Sequence, residues 1–236
     1  MPRMIAVDPH ELARPLRPQE FGRSRASSIA DPLVEPAWPG LRLLAAAGRG
    51  RATLWLDGEP FEEHPDVSTA LDRATDQTTV DGAIFDGYLT KQVASEGVGV
   101  RSWVNEYPTL AGTMSRMLIG GRRNRLDDLE RRREAEIEES KFDDVDTVNL
   151  VIVDLLWLDG QWLLDVPLLE RRRVLESILM PGDLVRPGPY VRHPIGSWIG
   201  SWRAQGFRGL TFKAANSRYR PGEAADDWSL ADMPRR

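Results

Sequence analysis

The run Val148 to Trp157 constrains this chain most, because every position in it is apolar except Asn149 and Asp154. A continuous apolar run of that length predicts a buried strand, and Asp159-Gly160 directly after it supplies a tight turn. Pro167 then sets the first turn of a helix. Leu168, Leu169, Val174, Leu175, Ile178 and Leu179 give that helix an apolar face until Pro181-Gly182 stops it. Upstream, Leu41–Ala47 and Arg51–Leu56 read as strands joined by Gly48-Arg49-Gly50, an antiparallel hairpin that meets a further turn at Asp57-Gly58. Pro65 to Thr75 carries Val67, Ala70, Leu71 and Ala74 at helical spacing. Thr79 to Leu89 and Phe207 to Ala214 read as further strands, and Asn216 to Gly222 as a basic loop.

The organisation this predicts is an irregular N-terminal arm over 1–33 and one domain over 34–236. An irregular and helical insertion occupies about 90–145, with a charge-dense helix at Asn124–Ser140. Residues 181–200, rich in proline and glycine, read as a loop.

Composition removes several chemistries. There is no cysteine, so disulfides, thiolate nucleophiles and thiolate metal sites are excluded, and a reducing cytoplasm is the expected compartment. His10, His64 and His193 lie far apart in sequence without metal-ligand spacing, so no metal site is expected. No apolar run is long enough to span a bilayer, which predicts no membrane partner. The net charge of −5 opposes non-specific attraction to nucleic acid. Covalent amine chemistry is confined to Lys91, Lys141 and Lys213, because the other cations are arginines, which stay protonated.

Four blocks carry a resemblance. They are Glu35-Pro36-Ala37-Trp38-Pro39-Gly40-Leu41-Arg42, then Asp81-Gly82-Ala83, then Asp154-Leu155-Leu156-Trp157-Leu158-Asp159-Gly160 with Pro167 to Arg172. The fourth is Gly209 to Lys213 followed by Ser217 to Gly222, Asp227 and Trp228. In this order they are similar to the nucleophile, D-G-E, F-D-L-L-x-L-D-G and C-terminal motifs of ATP-dependent DNA ligases. The resemblance implies an α+β fold. Its two antiparallel sheets, flanked by helices, would form a DNA-ligase-like nucleotidyltransferase (ATP-grasp-like) adenylation domain, here without a following OB-fold.

The resemblance also implies a reaction, in which a lysine takes AMP from ATP with a divalent metal and passes it to a DNA 5′-phosphate. The positions that would carry that chemistry are altered. Ala37 stands for the lysine, Pro39 for the aspartate after it, Ala83 for the D-G-E glutamate, Val153 for the aromatic under adenine and Arg208 for a metal-binding glutamate. Glu35, Arg42, Lys213, Arg218 and Arg220 remain as candidate nucleotide- and phosphate-binding residues.

Losing a covalent nucleophile costs on the order of 10⁶-fold in rate in a serine protease. The expectation is therefore a catalytically inactive ligase-like module that binds or scaffolds a protein partner. Nucleic acid is a weaker candidate partner, and a repair role rests on family analogy alone. No cofactor is expected, ATP and Mg2+ entering only if the family activity survives. The competing readings are a nucleotide or DNA-end sensor and an active nucleotidyltransferase using another lysine.

Overall fold

The computed structural model describes residues 7–76, 81–92 and 147–234. The arm contributes helix α1 (Pro9–Ala13), strand β1 (Glu20–Phe21) and a 3-10 turn (Ala26–Ser28) before β2 (Pro32–Pro36). There follow β3 (Leu41–Gly48), β4 (Arg51–Leu56), β5 (Glu59–Phe61), α2 (Pro65–Asp76) and β6 (Gly82–Thr90). Then come β7 (Asn149–Leu158), β8 (Gln161–Trp162), α3 (Leu168–Ile178), β9 (Val185–Pro187) and α4 (Gly196–Ala204). The chain ends on β10 (Gly209–Ala214), β11 (Ala224–Ala225) and β12 (Trp228–Asp232).

The predicted hairpin forms, with Arg49 and Gly50 at φ 60° and 72°, the left-handed pair a two-residue loop needs to match strand twist. Asp57-Gly58 and Asp159-Gly160 turn the same way. The larger sheet runs β5-β4-β3-β6-β7-β8, with β9 parallel to β7. Strand alternation gives it two faces. Leu43, Ala45, Ala47, Phe85, Leu150 and Ile152 pack against Val67 and Leu71 of α2 and Leu175 of α3. Leu44, Ala46, Ile84, Leu156 and Trp157 face the other way, onto Ala13, Tyr219 and Trp228.

The smaller sheet, β12-β10-β2, is antiparallel throughout. The two sheets are those expected, the larger with one parallel pair, β7–β9, and the parallel pair β1–β11 ties the arm down, so the arm is less irregular than its prolines imply. The segment 181–200 is not all loop, since β9 and α4 lie in it. The Asn124–Ser140 helix falls outside the described residues. Among the described residues no helix is long and apolar enough to cross a membrane.

Candidate functional site between the two sheets

Residues Glu35 to Arg42 cross from the smaller sheet to the larger one. Glu35 lies on β2 and Arg42 on β3, and the chain turns between them at Gly40. Gly40 has φ 115°, and a Cβ there would stand 2.3 Å from the Leu89 carbonyl oxygen, so only glycine fits. The register Leu210↔Pro36 and Thr211↔Glu35 puts Leu33, Glu35, Ala37, Gly209, Thr211 and Lys213 on one face of the smaller sheet.

Two buried ion pairs occupy the seam. Lys213 Nζ lies 2.7 Å from Glu35 Oε2 and 4.6 Å from the centre of the Trp228 ring, and both charged groups are buried. Arg42 donates through Nε and Nη2 to both Asp86 oxygens, at 3.1 and 2.6 Å, and through Nη1 to the Gln19 carbonyl at 2.6 Å. Its guanidinium lies over Phe21, Tyr88 and Trp228. The Tyr219 hydroxyl donates to Asp86 Oδ2 at 2.8 Å.

Burial disfavours the Arg42 cation, but the Asp86 carboxylate together with Tyr88 and Tyr219 outweighs it and the pKa is raised. Burial pushes the Tyr88 phenol up to about 12, with Arg42 partly opposing and Asp86 adding to the rise. Tyr219 is raised well above its ordinary value, first by burial and then by Asp86.

Two further arginines explain the Asp154 block. Arg171 and Asp154 are both fully buried and pair in a fork, Nε to Oδ1 at 2.8 Å and Nη2 to Oδ2 at 2.7 Å. Arg172 donates to the Ile152 and Gly188 carbonyls, stacks on Tyr190 and approaches Glu35 Oε1 at 4.0 Å. Glu35 Oε1, Arg172 Nε and the Trp38 indole N–H are buried without a hydrogen-bond partner among the described residues. Trp38 packs edge-on against Phe207, and its Nε1 would lie 3.4 Å from a Cβ on Gly188, beside Val151 and Val153.

The positions anticipated from sequence divide accordingly. Glu35, Arg42 and Lys213 meet in the seam. Ala37 sits at its half-open end, its N–H bonded to the Gly209 carbonyl, and Pro39 is exposed. Val153 is buried. Arg208 is exposed at the start of β10, and Arg218 is exposed and paired with Asp165 at 3.3 Å. The exposed Arg220 donates its backbone N–H to the Gln19 side chain.

Ala83, the position anticipated for the D-G-E glutamate, packs in the helix-covered core. The Asp-Gly that reaches the seam is Asp86-Gly87, with Tyr88 across from Arg42 in the β3–β6 register. Strand alternation was the available signal, because Asp86 and Tyr88 share a side that Ala83 does not. Gln19 and Arg172 carried no comparable signal.

Ala37 offers no amine, the seam's carboxylates Glu35, Asp86 and Asp154 each face a cation, and Arg208 carries positive charge. Among the described residues no group of three His, Cys, Asp or Glu is placed to hold a metal.

Residues 120–229 match the family model for the ATP dependent DNA ligase domain. A stretch of 81 residues is 32% identical to the multifunctional non-homologous end joining protein LigD of Mycolicibacterium smegmatis, covering 32% of this chain and 10% of that protein. Another of 82 residues is 34% identical to DNA ligase 4 of Eremothecium gossypii, covering 33% of this chain and 8% of that protein. The fold superposes on the ligase domain of M. tuberculosis LigD with a TM-score of 0.59 at 22% identity, over 92% of this chain and 59% of that one. The chain has the fold of these DNA ligase domains. A mycobacterial DNA ligase D whose structure holds ATP gives the same TM-score, 0.59, at 23% identity over 93% of this chain and 60% of that one. The chain thus spans less than two thirds of each of these relatives.

Proposed function

We propose that this ligase-like domain is a non-catalytic module that binds or scaffolds a protein partner. One observation carries the reading. The two seam cations that would meet a nucleotide's phosphates are engaged internally, Lys213 by Glu35 and Arg42 by Asp86 and Gln19, while Ala37 has nothing to form a phosphoramidate bond. Breaking a buried ion pair by taking away one partner costs several kcal/mol, so an incoming phosphate must replace those contacts before it gains anything. Cytoplasmic residence is part of the same proposal and rests on the absence of cysteine. A place in DNA repair follows only from the relatives' names.

A second reading, a nucleotide or DNA-end sensor, draws support from Glu35 Oε1, Arg172 Nε and Trp38 Nε1, because buried polar atoms without partners are uncommon. Calorimetry with ATP and with nicked duplex separates the two. Silence with both ligands supports the scaffold. Sub-millimolar ATP binding that is lost in Lys213→Ala supports the sensor.

A further inference from the structure

We propose that the outer half of β12, Leu230 to Asp232, receives an extended acidic polypeptide segment as an added strand. The inference rests on the binding-module reading and names its surface and the chemistry of its partner. β12 is an edge of the smaller sheet. Its register against β10 pairs Trp228↔Lys213, Leu230↔Thr211 and Asp232↔Gly209. The Ala214 N–H bonds the Asp227 carbonyl and the Met233 N–H bonds the Arg208 carbonyl, so residues 227, 229, 231 and 233 point their backbone groups inward. The groups of 228, 230 and 232 therefore point outward.

The first of these outward groups is taken, since the Trp228 carbonyl accepts the Gly22 N–H of the arm. The arm then turns into the 3-10 turn at Ala26–Ser28. Leu230 and Asp232 are left with two N–H and two C=O groups aimed outward, without a backbone partner among the described residues. Groups alternating along an extended edge match the repeat of another polypeptide strand, whereas nucleic acid offers no such ladder. Natural edges are blunted by charge, proline or a bulge, yet here Leu230 is 58% exposed. Arg23, Arg25 and Arg208 are exposed around the stretch, against Asp226 and Asp232, and Asp226 already receives the Arg23 N–H. That balance favours a partner strand carrying acids beside apolar residues.

The test selects short random peptides displayed on phage against the full chain and measures their binding by fluorescence anisotropy. Alternating apolar and acidic sequences are expected. Leu230→Pro removes only an outward N–H and should weaken them at least about tenfold, since an edge hydrogen bond and its neighbours are lost together. Leu230→Asp keeps the N–H, removes the apolar contact and repels acids, so it covers the case in which the proline variant fails to fold. Arg208→Glu should lower affinity for acidic peptides further.

Binding that both Leu230 variants leave intact, or no selection above background, overturns the proposal. Nicked duplex that binds and is lost with Leu230→Pro also overturns it. Activity with ATP would remove the non-catalytic reading without touching this outcome.

Discussion

Replacing Asp86 by alanine isolates what holds the seam together. The Asp86 carboxylate is fully buried and accepts two bonds from Arg42 and one from Tyr219. Its removal leaves the Arg42 guanidinium, whose side chain is 17% exposed, with the Gln19 carbonyl as its remaining hydrogen-bond acceptor. Taking one partner from a buried pair costs about 3–5 kcal/mol, and the small residual exposure of Arg42 favours the lower half of that range. Since a domain is stable by only about 5–15 kcal/mol, denaturant unfolding should shift markedly, with the midpoint falling at nearly constant slope. The paired replacement Arg42→Met with Asp86→Leu should recover most of the loss, because the two charges then leave the interior together. A measured cost below about 1 kcal/mol for Asp86→Ala, or no recovery in the double variant, would refute the claim that these groups hold each other rather than a ligand.

Tyr88 and Tyr219 keep their protons in the fold at pH values where an unfolded chain releases them. Stability should therefore fall as pH rises through about 10, and Tyr88→Phe should flatten that slope in pH-dependent denaturation. His10 runs the other way. Burial lowers its pKa, partly opposed by the Gly48 carbonyl, so its contribution is present above about 6.5 and is lost as pH falls below it. His10→Gln should remove that acid-side dependence. Leu71→Ala, fully buried between α2 and the larger sheet, should cost about 2–5 kcal/mol in the same assay. Ala37→Lys alone should give no AMP transfer, because Glu35 and Asp86 are already paired and supply no free acid, and labelling of that single variant would contradict this.

The elements built on strict local rules were legible. β7 announced itself by its apolar run, the hairpins by Arg-Gly and Asp-Gly turns, and α3 by Pro167 with its apolar face. The motif positions Glu35, Arg42 and Lys213 do come together, on one sheet face and its neighbour. Non-local information was not legible. Gln19 reaches Arg42 through a backbone carbonyl, a group that every residue owns. Arg172 reads like its surface neighbour Arg173 on a charged helix, although one is fully buried and the other exposed. Asp81-Gly82 and Asp86-Gly87 offer the same dipeptide, and only the fold decides which meets Arg42.

The most direct measurement is intact-mass spectrometry of the full chain after incubation with ATP and Mg2+, with peptide mapping of any adduct. An unmodified mass is expected. A covalent AMP on Lys213, Lys91 or Lys141 would contradict it.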